Sequence, residues 1–145
     1  MSRYLGDDWV LPTLTPHSTP FFTAGTIQIQ RCEECGHAQH PPDDVCHACQ
    51  GTRLVFVAMP GTGRVESAAI VRHPVHPALK DRVPYVIAIV SVDGAPGCSV
   101  QGNVVDCAPD AVAIGQRVRA VFEPATDPAT GTPLLIPQWK LAPEA

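Results

Sequence analysis

The chain has 145 residues, of which 45% are hydrophobic and 17% charged, a composition that favours one globular domain or two very small units. Ten basic and fourteen acidic residues give a net charge of −4, which argues against nonspecific attraction to nucleic-acid phosphates. The apolar runs are too short to span a bilayer and the first residues lack a signal-peptide core, so we expect a cytoplasmic protein without a membrane segment.

The first 25 residues predict a tail and one short helix. Residues 1–14 have the pattern of an extended tail, with Tyr4 and Trp9 as its anchors. Prolines and capping residues in "TPHSTPFFTAG" predict a short helix that stops at Gly25.

Residues 26–59 predict two strands that flank a cysteine-rich loop. In "TIQIQR", Ile27 and Ile29 share one face, while Gln30 and the other polar residues share the opposite face. This alternation is typical of a half-buried strand, and it leads directly to Cys32. "RLVFVAM" predicts the second strand over residues 53–59.

The loop contains two C-x-x-C pairs, which predict a metal site with the ligands Cys32, Cys35, Cys46 and Cys49. Structural zinc takes four thiolate or imidazole ligands at tetrahedral corners, and four protein ligands close the site to substrate. Glycines follow both pairs, at positions 36 and 51, where they would allow a tight turn. We therefore expect a structural Zn²⁺.

Three alternatives to this zinc site stay open on the residues alone. Four thiolates also bind iron, and each C-x-x-C pair could be a redox motif, although Glu33 and Glu34 disfavour a thiolate in the first pair. His37, His40 and His47 are near enough in sequence to replace a cysteine, but with four cysteines in register we interpret them as loop residues.

Residues 60–145 predict a small barrel that begins after the break "PGTG" at 60–63. Short strands with polar turns are typical of a five-stranded barrel, and the predicted strands span 64–71, 84–92, 98–105, 117–122 and 134–139. A proline-broken loop (72–84), one helical turn in 108–115 and a hairpin loop (123–133) connect them.

Few other residues in the chain suggest chemistry. Cys98 and Cys107 lie in or beside strands and are interpreted as core thiols. The loop at 72–84 is the densest basic segment and is interpreted as solvated, with contact to a phosphate or an acidic partner as the alternative; it holds Arg72, His73, His76, Lys80 and Arg82. The chain lacks a P-loop, a nucleophile elbow and an H-E-x-x-H motif, so a self-sufficient active site is not expected.

The order of these segments resembles one family over residues 16–140. The segments are "IQIQRCEECG", "PPDDVCHAC", "GTGRVESAAIV", "VPYVIAIVSVDG", "VQGNVV" and "VAIGQRVRAVFE". They are similar to the small proteins in which a rubredoxin-like zinc ribbon precedes an OB-fold, long catalogued as a domain of unknown function and associated with acyl-CoA enzymes. One departure is His47, which stands where family members often have proline.

The resemblance implies a mostly β fold with an N-terminal helix (1–25), a zinc ribbon (26–59) and a five-stranded OB-fold barrel (60–145). It also implies a non-catalytic subunit that pairs with a thiolase-like chain, such as a lipid-transfer-type thiolase, a steroid side-chain aldolase or a benzoylsuccinyl-CoA thiolase. A CoA thioester would then bind at the interface with that partner. The alternative from another class is a nucleic-acid-binding module, which the sparse aromatic and basic residues of the barrel disfavour.

Overall fold

The computed structural model describes residues 3–144, so residues 1, 2 and 145 of the predicted tail and barrel lie outside it. Strands dominate, which confirms the expected mostly β fold with one short N-terminal helix. The elements are α1 (Thr19–Thr23), β1 (Gln28–Cys32), β2 (Ala38–Gln39), β3 (Leu54–Ala58), β4 (Thr62–Val71), β5 (Tyr85–Val92), β6 (Ser99–Val105), β7 (Arg117–Thr126) and β8 (Pro133–Leu141).

The first sheet has three antiparallel strands in the order β2-β1-β3. Ile27 and Ile29 are fully buried, as the alternating pattern predicted. Gln30 was expected on the solvent face, but it is only 3% exposed because its amide bonds to the loop that joins the two cysteine pairs. The two-residue strand β2 was not predicted, because it is too short to show a period.

The second sheet closes into a barrel with the strand order β4-β5-β6-β8-β7. β6 and β8 are parallel, the other pairs are antiparallel, and the first three residues of β4 pair with β7 to complete the circle. This is the five-stranded OB-fold topology that the sequence predicted. β7 and β8 run further into the predicted hairpin loop than expected, leaving only residues 127–132 as the turn.

The predicted break at 60–63 is shorter in the structure, because Thr62 and Gly63 already belong to β4. Gly61 makes the turn with φ of +83°. A side chain at Gly63 would collide with the carbonyl of Ser91, so glycine allows β4 and β5 to approach closely at this point.

One apolar core joins the barrel to the first sheet. Trp139 and the buried valines of the barrel strands form a single cluster with Phe21, Ile27 and Ile29. The helix and β1 therefore bury apolar area against the barrel.

The N-terminal segment is folded and not the extended tail that the sequence predicted. Backbone hydrogen bonds from Gly6 to Arg3 and from Trp9 to Gly6 close two successive turns. Leu5 is buried with Leu79 and Tyr85, and the predicted anchors Tyr4 and Trp9 pack against that cluster. The segment covers part of the barrel wall.

Candidate metal centre and the adjoining cavity

The loops after β1 and before β3 bring the four predicted ligand cysteines together. Their sulfur atoms all lie within 4.8 Å of one another. Each C-x-x-C turn supplies one buried and one exposed thiol, and two contacts join the turns, at 3.7 Å for Cys32–Cys49 and 3.6 Å for Cys35–Cys46.

These distances fit a tetrahedral four-thiolate metal site. Zn–S bonds of about 2.3 Å at tetrahedral corners place the sulfurs ~3.8 Å apart, close to the spacings observed here. Free thiols gain little from such mutual proximity, whereas a divalent cation at the centre would bind all four. The residues therefore fit Zn²⁺.

Backbone N–H groups point at the sulfurs from within each turn. Three of these donors are Glu34, at 3.3 Å from Cys32 Sγ, Ala48, at 3.4 Å from Cys46 Sγ, and Gly51, at 3.4 Å from Cys49 Sγ. Such donors favour the thiolate form, which is the form that binds a metal.

Each C-x-x-C turn has a residue with positive φ directly after its second cysteine, but in the second turn this residue is not the glycine that the sequence suggested. Gly36 has φ of +78°, as expected, whereas the matching position in the second turn is Gln50, at +62°. Gly51 lies against the carboxylate of Glu34, which accepts a hydrogen bond from the N–H of Thr52, so a side chain at position 51 would displace the flexible Glu34 side chain.

The thiols of the cluster do not ionise equally. The backbone N–H of Cys49 holds the pKa of Cys46 at about 7, against the opposing effect of burial. The N–H of Gly51 lowers the pKa of Cys49, but hydrogen bonding with Cys35 together with burial leaves that pKa raised to about 12. Ionisation of one thiol thus disfavours ionisation of its neighbours, and a bound cation would offset this repulsion between thiolates.

Two buried glutamines hold the loop between the cysteine pairs. The amide of Gln39 donates to Gln30 Oε1 at 2.8 Å, and its oxygen accepts from the N–H of His47 at 2.8 Å. Gln30 bonds both the N–H and the carbonyl of Asp43. Because both side chains are buried, these bonds fix the loop against β1 and β2.

The three loop histidines lie outside the cysteine cluster, which among the described residues contains cysteines alone. His47 lies 3.3 Å from the Asp43 carboxylate. His40 packs on Phe21 with ring centroids 4.8 Å apart, and burial lowers the pKa of His40 to about 4.

A cavity of about 610 Å³ adjoins this loop. Its walls come from the N-terminal segment, α1, residues 40–42 of the ribbon, and β5, β6 and β8 of the barrel. Rings dominate the lining, including those of Trp9, Phe21, Phe22, His40 and Tyr85. Among its lining residues the sequence singled out only His40 for chemistry, as an alternative metal ligand, and it did not predict the cavity because the walls come from segments far apart in the chain.

A buried polar network lies beside the cavity and ties the N-terminal segment to the barrel. Glu123 accepts hydrogen bonds from the N–H of Tyr4 at 2.7 Å and from Gln138 at 3.1 Å, and its carboxylate lies 3.9 Å from Arg3 Nε. Arg3 also donates to carbonyls of its own segment, those of Asp7, Trp9 and Val10. The network fixes one wall of the cavity.

The remaining candidates take structural positions. Cys98 is buried in the barrel core and Cys107 packs against it, as predicted, and burial raises the pKa of both thiols. His76 packs edge-on against Trp9, and its Nδ1 accepts the N–H of Ala78 at 3.0 Å. The structure records no partner for His73 among residues 3–144.

The fold and the cysteine cluster together define a zinc ribbon joined to an OB-fold barrel. Comparison with known families agrees: the rubredoxin-like zinc ribbon domain of ChsH2 matches residues 25–55, and the C-terminal OB-fold domain of ChsH2 matches residues 56–123. The chain belongs to this ChsH2/DUF35 family.

Relatives and a solved structure support that placement. A DUF35 domain-containing scaffold protein of Methanothermobacter thermautotrophicus is 34% identical over 63% of this chain and 68% of its own length. A similarly named protein of Methanocaldococcus jannaschii is 36% identical over 63% of this chain and 64% of its own. A chain of the Ltp2-ChsH2(DUF35) aldolase superposes with a TM-score of 0.75 at 31% identity, covering 92% of this chain and all of that one.

A longer relative carries the same region as one part. The probable enoyl-CoA hydratase alpha subunit of Thermomonospora curvata is 38% identical over 63% of this chain, but the match spans only 28% of that protein. The matched region thus makes up just over a quarter of the hydratase subunit. Within residues 3–144, no helix is long and apolar enough to cross a membrane.

Proposed function

We propose that this chain is a non-catalytic, zinc-binding scaffold subunit of an enzyme complex that makes or breaks C–C bonds in acyl-CoA substrates. The observation that carries the proposal is the superposition on a whole chain of the Ltp2-ChsH2(DUF35) aldolase, at 31% identity. The scaffold names of two archaeal relatives support the same role. The proposed location of the complex is the cytoplasm.

The catalytic partner in this proposal is a thiolase-like chain of the lipid-transfer type. That chain would supply the reacting residues, and the present chain would help to assemble the complex and to shape the substrate or CoA entrance. The proposed units are the tail and helix (1–25), the ribbon (26–59) and the barrel (60–145).

The proposed zinc ligands are Cys32, Cys35, Cys46 and Cys49. Their side chains already face one another within 4.8 Å, so a bound ion would have four protein ligands and no open position for water or substrate. Bound zinc would cross-link the two C-x-x-C turns. The buried glutamines Gln30 and Gln39 would orient the loop between them.

Assembly and activity provide the test. The full chain is mixed with an Ltp2-type catalytic subunit from the same organism, and size-exclusion chromatography with light scattering measures the complex while acyl-CoA turnover is followed. We expect a defined hetero-oligomer that turns over substrate, and no turnover by this chain alone. Turnover by the purified chain alone would contradict a non-catalytic role.

Variants sharpen the test. Cys46→Ser should lose zinc and fail to join the complex, whereas Cys107→Ser, which lies outside the cluster, should keep one zinc per chain and assemble normally. Metal content is read by mass spectrometry of the eluted peak. Normal assembly of a zinc-free Cys46→Ser chain would show that the scaffold role does not depend on the metal.

The nucleic-acid-binding alternative has less support. Ligand grooves of that class combine cationic side chains with stacking rings, and although rings line the cavity beside β5 and β6, its lining includes no lysine or arginine. Fluorescence anisotropy with a labelled single-stranded oligonucleotide at physiological salt is the direct assay. Tight, salt-dependent binding would favour this alternative over the scaffold role.

A further inference from the structure

The cavity between the ribbon loop, α1 and the barrel is large enough for a small molecule. Its volume of about 610 Å³ lies within the usual range for ligand pockets, about 300–1,000 Å³. It is bounded by parts of the chain that are far apart in sequence, so its shape depends on how the ribbon and the N-terminal segment sit against the barrel.

The lining of the cavity carries no charged side chain of aspartate, glutamate, lysine or arginine. A phosphate or carboxylate placed inside would therefore lose its hydration without gaining a counter-ion, which is costly. His17, at the rim, already bonds Asp44, whose side chain faces solvent. The interior thus selects against charged groups.

Aromatic rings provide the main contact surface. Phe21 and Phe22 pack edge-to-face with centroids 5.0 Å apart, and His40 lies against Phe21 at a tilt of 36°. Trp9 and Tyr85 line the same space. Flat ring systems gain most from such walls, because they stack on faces and edges at once.

One fully enclosed side-chain nitrogen in this lining has no partner among the described residues. His40 Nδ1 is buried and makes no hydrogen bond to the described residues. By contrast, Asn103 donates to the carbonyl of Val86, and Gln138 donates to Glu123. Because this atom is enclosed by the protein, a ligand group in the cavity could reach the His40 ring only at Nε2.

We propose that this cavity binds an uncharged ring compound that stacks between the phenylalanines of α1 and the barrel and hydrogen-bonds Nε2 of His40 through a hydroxyl or carbonyl group. The site joins ribbon to barrel and belongs wholly to this chain. The proposal goes beyond the scaffold role, and binding is expected in the absence of a catalytic subunit.

The test compares 2-naphthol with 2-naphthoate, which share the ring system but differ in charge. Both are titrated into the ¹⁵N-labelled full-length, zinc-loaded chain, and amide shifts are followed by NMR. We expect 2-naphthol to bind with a Kd on the order of 100 µM. The perturbed amides should lie in α1, at His40 and in β6. Naphthoate should bind at least tenfold more weakly.

Two variants locate the ligand. His40→Phe keeps a ring but removes the nitrogen, and should weaken 2-naphthol binding roughly 3- to 10-fold. Gln101→Trp places a large side chain on the exposed cavity wall and should abolish binding. Ile114→Trp adds the same bulk at a position that is 75% exposed and does not line the cavity, and should leave binding unchanged.

Several results would overturn the proposal. Equal affinity for naphthol and naphthoate would do so, and so would unchanged binding to Gln101→Trp or shifts that map to another face. Competition by an added Ltp2-type subunit would assign the cavity to the partner contact instead. Circular dichroism first establishes that each variant is folded, and His40→Gln, which restores a polar group, should recover part of the affinity if His40→Phe binds weakly.

Discussion

The ribbon and the barrel reach stability by different routes. The barrel closes a five-stranded sheet around a dense cluster of valines and Trp139, so burial of apolar surface holds it together. The outer half of the ribbon, residues 31–53, has two buried thiols and the buried Gln39 where the barrel has aliphatic side chains. We therefore expect the ribbon, but not the barrel, to need a metal in order to fold.

The largest expected effect is that of metal removal. Chelation should unfold residues 31–53, because structural zinc contributes on the order of 10 kcal/mol to the folding of small modules. The barrel should stay folded. Two-dimensional ¹H–¹⁵N NMR before and after chelation checks this, and simultaneous loss of barrel and ribbon signals would show that the two regions do not differ in the way described.

A substitution that creates a cavity in the barrel core should have the opposite effect to metal removal: it should destabilise the barrel and leave zinc binding intact. Trp139 is completely buried and contacts Gly102, so Trp139→Ala should cost about 4 kcal/mol of unfolding free energy. Trp139→Phe should cost less, because the ring partly refills the space. Urea denaturation gives the loss, and zinc content should remain one ion per chain while the protein is folded.

Glu123→Gln tests the polar network that joins the N-terminal segment to the barrel. Glu123 is 2% exposed and is the acidic partner of the buried Arg3, so the substitution should cost about 3 kcal/mol. Glu144→Gln is the control, because Glu144 pairs with Arg64 on the exposed surface and the loss of that pair should leave stability unchanged.

A double-mutant cycle separates the pair from the rest of the network. Arg3→Met combined with Glu123→Gln should cost less than the sum of the single losses, because each single change leaves the other group buried without its partner. Strict additivity in urea denaturation would show that the two side chains act independently.

The smallest effect is a pH dependence that originates at the junction of the two regions. Burial holds the pKa of His40 at about 4, below its ordinary value of 6.5, so the unfolded chain binds more protons between these values. Stability should therefore fall as pH drops through this window, by about 1 kcal/mol at pH 5.5 relative to pH 7.5.

His40→Phe provides the control for that measurement. The variant should lose this part of the pH dependence while retaining whatever arises from the cysteine thiolates, so the difference between the two proteins isolates the histidine. Urea denaturation at both pH values measures it. An identical pH dependence in the two proteins would mean that His40 is already solvated.

The features that could be predicted from the sequence are those encoded by the spacing of residues close together in the chain. The cysteine pairs, the burial of Ile27 and Ile29, and the barrel strands all follow from periods and motifs within a few residues of each other. Gln30 was assigned to the wrong environment because its partner, the loop at Asp43, is thirteen residues away. The bonds of Arg3 and Tyr4 to the barrel leave no such local pattern.

The cavity also could not be predicted from local sequence patterns. Phe21, His40 and Gln101 belong to three separate elements, and each follows an ordinary pattern within its own segment. Only the packing of helix, ribbon and barrel brings them to one wall. The cysteine cluster was predictable from the sequence because its members form two C-x-x-C pairs along the chain, whereas the residues that line the cavity come together only in the folded structure.

One measurement tests the central claim, that the metal holds a scaffold and does not meet substrate. Native mass spectrometry and acyl-CoA turnover are recorded on the same sample of the complex with an Ltp2-type subunit, during stepwise chelation. We predict that loss of zinc, dissociation of the complex and loss of activity coincide. An intact, zinc-free complex that has lost activity would contradict the account, because it would place the metal in the reaction.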